Sequence, residues 1–203
     1  MESLVTLVLG TSNAGKAAEF RGLLREGGWR LLDLTAFAGL RPFWEDGSTF
    51  AENARAKARQ LAVQAKQWVL ADDTGLEVDA LDGAPGIHSA RFAGPQASAQ
   101  ANRQRLLAEL NNEPLERRGA RFVCHLALAD RSGLVRAEAS GSCRGRIRFQ
   151  PAGDGGFGYD CLFEIVEYHR TLAELGGAAT SCLSHRARAV RALWPTLVRL
   201  LLP

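Results

Sequence analysis

The sequence predicts an α/β protein, with one mixed β-sheet, flanking helices and two lobes around a cleft. Three observations predict it. The first 24 residues read as a strand, a loop of small residues and a helix, which is the grammar of a βα unit. Segments 120–129 and 134–149 read as two long strands joined by a turn at 130–133, a hairpin beside that unit. Helical and strand patterns then alternate through the rest of the chain.

Residues 4–9, Leu-Val-Thr-Leu-Val-Leu, are rich in branched apolar side chains and read as a buried strand. Small and polar residues at 10–15 form a loop. A helix follows from Lys16, with Phe20, Leu23 and Leu24 on one face and Gly27-Gly28 as its stop. Residues 29–34 are a second strand candidate, and a polar loop runs to Gly47. Thr49 and Glu52 have the spacing of a capping box and open an Ala-rich helix to about Lys66. Trp68-Val69-Leu70-Ala71 is a short third strand, ending in Asp72-Asp73-Thr74-Gly75. The Gly/Pro-rich stretch 83–94 reads as loop and 100–110 as helix. After the hairpin come a glycine loop at 151–158 and a strand at 159–166. A C-terminal helix runs from about Leu183, interrupted at Pro195. No repeat, low-complexity tract or linker is visible, so residues 1–203 read as a single domain.

The 203 residues are 46% hydrophobic and 23% charged, which is globular composition and excludes disorder and collagen. A chain of this length buries roughly 70% of its unfolded surface, enough for a real core. The longest apolar runs, 4–9 and 200–202, are too short to span a bilayer, and the acidic start Met-Glu-Ser does not read as a secretory leader. A net charge of +3 is too mild to indicate a nucleic-acid binder. Only Lys16, Lys57 and Lys66 are lysines, so a lysine inside a motif stands out. Cys124, Cys143, Cys161 and Cys182 lack metal-finger spacing and read as reduced, buried or half-buried thiols.

Residues 10–17, Gly-Thr-Ser-Asn-Ala-Gly-Lys-Ala, nearly satisfy the Walker A pattern. Amides of a glycine loop at a helix N-terminus suit anions, because they are donors at the positive end of the helix dipole. Lys16 adds a cation. Ala17, however, stands where a Walker loop needs a hydroxyl for magnesium, so the loop reads as a phosphate loop of another kind. Asp72 and Asp73 follow an apolar strand. Neighbours on an extended chain point to opposite faces, so one serves the site and the other the scaffold. Carboxylates near a phosphate loop are what magnesium takes, and one of them can accept a proton from water. Glu45 or Asp46 offers a further oxygen ligand.

Six segments now come together in order. They are TSNAGKAAEF (11–20), TFAENARAKA (49–58), LADDTGLEVDALDGAPGIHSARFAG (70–94), GGFGYD (155–160), TLAEL (171–175) and SHRARA (184–189). Together they resemble the Ham1-like non-canonical purine nucleoside triphosphate pyrophosphatases, over residues 5 to about 190. The resemblance implies an elongated mixed sheet with a central nucleotide-binding cleft, in a magnesium-dependent cytoplasmic homodimer with no nucleic-acid or membrane partner. Its reaction would be hydrolysis of ITP, dITP and XTP to the monophosphate and pyrophosphate.

Residue by residue, Thr11, Ser12, Asn13, Ala14, Gly15 and Lys16 match the triphosphate loop, and Lys16 takes part in catalysis. Asp73 matches the metal ligand and proton acceptor, with Asp72 beside it, and Glu45 matches a further metal carboxylate. Lys57 and Thr74 match substrate-binding positions. Phe157, Gly158, Tyr159 and Asp160 match the loop for base and sugar, and His185 and Arg186 the pair that reads the purine edge. Thr180 departs from the pattern by standing where the family has a lysine, and Cys161 replaces a proline. The competing readings are a P-loop-like NTPase that releases orthophosphate and a nucleotide-binding protein with impaired catalysis.

Overall fold

The computed structural model describes residues 4–41 and 46–202. The chain runs β1 (Thr6–Leu9), α1 (Ala14–Leu24), β2 (Arg30–Asp33), α2 (Phe50–Ala65), β3 (Trp68–Val78), β4 (Pro85–Gly86), α3 (Ala99–Glu109), β5 (Gly119–Ala129), β6 (Val135–Ile147), β7 (Phe163–Ile165), β8 (Arg170–Thr171), α4 (Leu172–Leu183) and α5 (His185–Leu201). The strands form a sheet in the order β2-β1-β3-β5-β6-β7-β8, with β4 paired to β3. β1 is parallel to β2 and β3, whereas β3–β4, β6–β7 and β7–β8 are antiparallel. The sheet is therefore mixed, as the sequence predicts.

Two compact units divide the chain. The first comprises Met1–Asp73, Cys124–Gly141 and Arg186–Pro203, and the second Thr74–Val123 and Ser142–His185. In the first, strand alternation builds two cores. Leu7, Leu9, Leu70, Leu126 and Leu128 pack with Phe20 and Leu24 of α1 and with Val190, Leu193 and Leu197 of α5. The intervening residues Val8, Val69, Ala71, Ala127 and Ala129 pack with Ala54, Ala58, Leu61 and Ala62 of α2. Period-2 strands meeting helical stripes thus sandwich the sheet between α1/α5 and α2. In the second unit, Leu76, Val78, Leu106, Phe122, Ile147, Leu162, Phe163 and Leu172 form the core.

Several expectations change. The third strand does not stop at Ala71. It continues to Val78, where Leu76 and Glu77 pair with Gly86 and Pro85. Sheet pairing overrides the poor strand propensity of Asp-Asp-Thr-Gly. Helix α1 starts at Ala14, two residues before Lys16, because the Asn13 side chain caps it. Thr49 caps α2 as expected, and the Glu52 carboxylate reaches back to the Ser48 amide and hydroxyl. A reciprocal capping box lies at Thr171 and Glu174, opening α4, a helix that the sequence reading lacks. Residues 159–162 turn rather than extend: the Leu162 and Phe163 amides both donate to the Tyr159 carbonyl. α5 continues through Pro195. Cys124 and Cys143 are buried and Cys161 half-buried, as expected, whereas Cys182 is exposed. No helix among the described residues is long and apolar enough to cross a membrane.

Candidate active site

In the first unit, β1 ends at Gly10, whose amide donates to the Leu70 carbonyl at 2.8 Å. A Cβ there would lie 2.9 Å from the Ala71 Cβ, so only glycine lets the loop approach β3 this closely. The loop then turns through Thr11, Ser12 and Asn13. The Thr11 Oγ1 accepts the Asn13 amide at 3.2 Å, and the Asn13 Oδ1 accepts the Lys16 amide at 3.1 Å. Ala14 and Gly15 are thus the first residues of the helix, where amides have no intrahelical acceptor and suit an anion.

The Lys16 Nζ bonds the Asp72 Oδ2 at 2.8 Å. Asp72 and Asp73 are 2% and 6% exposed, inside β3 rather than beyond its end. The alternation predicted from sequence holds. Asp72 follows Leu70 to the α1/α5 side, and Asp73 follows Ala71 to the α2 side, where its Oδ2 accepts the Asn53 Nδ2 at 2.9 Å. Lys57, one turn beyond Asn53 on α2, donates its Nζ to the Asp72 backbone carbonyl at 2.8 Å and is 3% exposed.

Arg186, at the start of α5, is 3% exposed and donates its Nε to the Glu19 Oε2 at 2.6 Å. Burial acts to lower its pKa, but Glu19 and Asp72 outweigh that and hold it above the ordinary arginine value. Lys16 with Asp72 and Arg186 with Glu19 are thus two ion pairs, linked by the charge of Asp72 acting on Arg186. Glu19 and Asn53 were missed from sequence, although the signal is visible. Glu19 lies three residues after Lys16, and Asn53 four before Lys57, both spacings that share a helix face.

In the second unit, Asp160 accepts the Phe157 amide on Oδ2 at 2.9 Å, closing the 157–160 loop. Arg103 of α3 donates to the Gly158 carbonyl at 2.8 Å. Phe157 is half-buried, and Tyr159 is a core residue. The Tyr159 hydroxyl donates to the Ser89 carbonyl at 2.9 Å; burial pushes its pKa up to about 12, opposed by the charge of Arg103. The Tyr159 hydroxyl is therefore committed to a bond within the fold, whereas Phe157 is half-buried. Tyr159→Phe should accordingly cost about 1 kcal/mol of stability and leave the KM for nucleotide within twofold. A tenfold rise in KM with unchanged stability would return Tyr159 to the binding surface. Thr74 is half-buried in β3. His185 is buried and stacks on Phe122 with ring centroids 4.7 Å apart. Thr180 donates its hydroxyl to the Gly176 carbonyl within α4. Glu45 lies outside the described residues.

The chain matches a known family model, described as the Ham1 family, over residues 7–196. The chain belongs to the Ham1 family. A curated relative, the dITP/XTP pyrophosphatase of Rhodopirellula baltica, is 49% identical over 98% of this chain and 96% of its own length. The dITP/XTP pyrophosphatase of Desulforamulus reducens is 45% identical over 96% of each. Among solved structures, the HAM1 protein of Coxiella burnetii superposes with a TM-score of 0.86 at 36% identity, covering 97% of this chain and all of that one. The Ham1 assignment thus spans both compact units.

Proposed function

We propose that this chain hydrolyses ITP, dITP and XTP to the nucleoside monophosphate and pyrophosphate, clearing deaminated purines from the nucleotide pool. The observation that carries the reading is Lys16, at the start of a helix that follows a small-residue loop, bonded to an acidic strand whose two carboxylates serve opposite faces. Near-identity in length to relatives named dITP/XTP pyrophosphatase supports the substrate class.

Asp73 fits a hard divalent cation. Its carboxylate is fixed by Asn53 and set on the face away from Lys16's ion pair. Among the described residues no three or more His, Cys, Asp or Glu side chains cluster as a metal site. Magnesium takes one or two carboxylates and completes its shell with phosphate and water oxygens, so Asp73 can serve as one of them, with Glu45, outside the described residues, proposed as the other. Bound there, Mg²⁺ supplies charge neutralisation and makes a nearby water more acidic. Asp72 was expected to bind metal too; with Lys16 on its Oδ2 and Arg186 nearby, we assign it the role of counter-ion instead.

Asp73 accepts the proton of the water that attacks the α phosphorus. The substrate tail carries about four negative charges, which Lys16 and the amides of Ala14 and Gly15 help offset. The same groups hold the departing pyrophosphate. The P–O bond to the bridging oxygen breaks as the water–phosphorus bond forms, and no covalent enzyme intermediate arises. Arg186, held rigid by Glu19, and His185 are the donors for a purine 6-oxo group. Against a 6-amino group they would be left unmatched, and such mismatches discriminate by about 10⁴. Phe157 supplies the ring for base stacking, and Thr74, Lys57 and the 157–160 loop complete nucleotide binding. The working enzyme is a cytoplasmic homodimer without nucleic-acid or membrane partners.

The test is a panel of ITP, XTP, dITP, GTP and ATP with magnesium, with orthophosphate and pyrophosphate measured separately. Stoichiometric pyrophosphate and monophosphate are expected from the first three, with kcat/KM at least about 10²-fold above ATP. Direct orthophosphate release, or no turnover of inosine-type substrates at any divalent ion concentration, would overturn the reading.

A further inference from the structure

We propose that Asn53 is a positioning residue that ties the Asp73 carboxylate to the backbone at Gly47 and so sets the affinity for the divalent cation. The inference rests on the reading of Asp73 as a metal ligand. Asn53 lies in the first turns of α2 and is 2% exposed. Its neighbours on the packed face are Ala54, Ala58, Leu61 and Ala62, so a buried amide here is not demanded by packing. Both ends of the amide are engaged. The Nδ2 donates to the Asp73 Oδ2 at 2.9 Å, and the Oδ1 accepts the Gly47 amide at 2.9 Å.

Only a side chain that donates and accepts at once can make both bonds: a carboxylate cannot give the first, and an ammonium cannot take the second. Fixing one oxygen of Asp73 sets the plane of its carboxylate, and hence the direction in which the other oxygen is presented. The second bond reaches the chain two residues beyond Glu45, the other acid assigned to the cation. Gly47 is itself shaped to this bond. A Cβ there would lie 2.7 Å from the Asn53 Oδ1 and 2.8 Å from the Glu52 Cβ. One buried amide therefore links the acid on β3 to the segment that follows Glu45. Second-layer partners of this kind govern metal affinity by factors of about 10–100.

The experiment compares Asn53→Ala, Gly47→Ala and Asp73→Asn with the unaltered protein. Binding of Mn²⁺ without nucleotide is followed by the electron paramagnetic resonance of the free ion. Turnover of ITP is measured against Mg²⁺ concentration, and folding is checked by circular dichroism. Asn53→Ala should raise the Mn²⁺ dissociation constant and the half-saturating Mg²⁺ concentration about tenfold, with a smaller loss of kcat at saturating Mg²⁺. Gly47→Ala keeps the Asn53 side chain but pushes against its oxygen, and should move both quantities the same way by a smaller factor. If Asn53→Ala does not fold, Gly47→Ala decides. A folded Asn53→Ala with metal dependence within twofold of the unaltered protein, or a uniform loss of kcat without any metal shift, overturns the proposal. Intact Mn²⁺ binding in Asp73→Asn would instead overturn the metal role of Asp73, and the two failures are thereby told apart.

Discussion

Asp73→Asn lowers turnover of ITP by about 10³-fold and leaves the protein folded. The substitution is isosteric, and the new carboxamide oxygen can still accept the Asn53 amide that now meets Asp73 at 2.9 Å. What disappears is the negative charge, and with it the proton acceptor and the metal oxygen proposed for Asp73. Steady-state rates at saturating Mg²⁺, with thermal melts on the same samples, check this. A rate within tenfold of the unaltered enzyme would take Asp73 out of the chemistry. Asp72→Asn makes the contrast, since its carboxylate is engaged by the Lys16 ammonium. There the loss falls on how Lys16 is held, so affinity for the triphosphate suffers along with stability.

Arg186→Met destabilises the fold by roughly 3–5 kcal/mol, the usual cost of stranding a buried charge. Arg186 bonds Glu19 at 2.6 Å and is also held by the charge of Asp72, and its removal takes a buried cation away from both anions. For a chain of this length the melting temperature should fall on the order of 10 °C. Adding Glu19→Gln removes the stranded charge and should recover part of the loss, a non-additivity expected of groups in contact. Urea unfolding of the two single variants and the double variant measures it. A loss under about 1 kcal/mol with no recovery in the double variant would show that the four charges do not act as a set. At a temperature where Arg186→Met remains folded, the KM for ITP should rise while ATP is discriminated less, because the donor proposed for the 6-oxo group is gone.

Much of the fold was readable because its signals are local. The apolar run before Gly10, the Ala face of α2 and the two long strands around the 130–133 turn each carry their own period, and these elements lie within two residues of their expected ends. Where the reading failed, nonlocal partners decided. Asp72-Asp73-Thr74-Gly75 looks like a turn in isolation, but pairing in the sheet keeps it extended. Residues 159–162 look like a strand, but the Tyr159 carbonyl collects two amides and the Tyr159 side chain enters a core. Helix α4 is poor in helix formers around Gly176-Gly177, and its capping box at Thr171 starts it.

The sequence by itself determined the family, the mixed α/β architecture and the residue types of the chemistry: a loop lysine, paired aspartates and a terminal arginine. It also determined that the two aspartates part to opposite sides, since alternation is a property of any extended chain. Only the tertiary structure decided which aspartate meets which helix. Asp72 answers Lys16 and lies near Arg186, whereas Asp73 answers Asn53. The physical reason is that a carboxylate's role depends on the charges and donors that burial brings against it, and those come from helices far away in the chain.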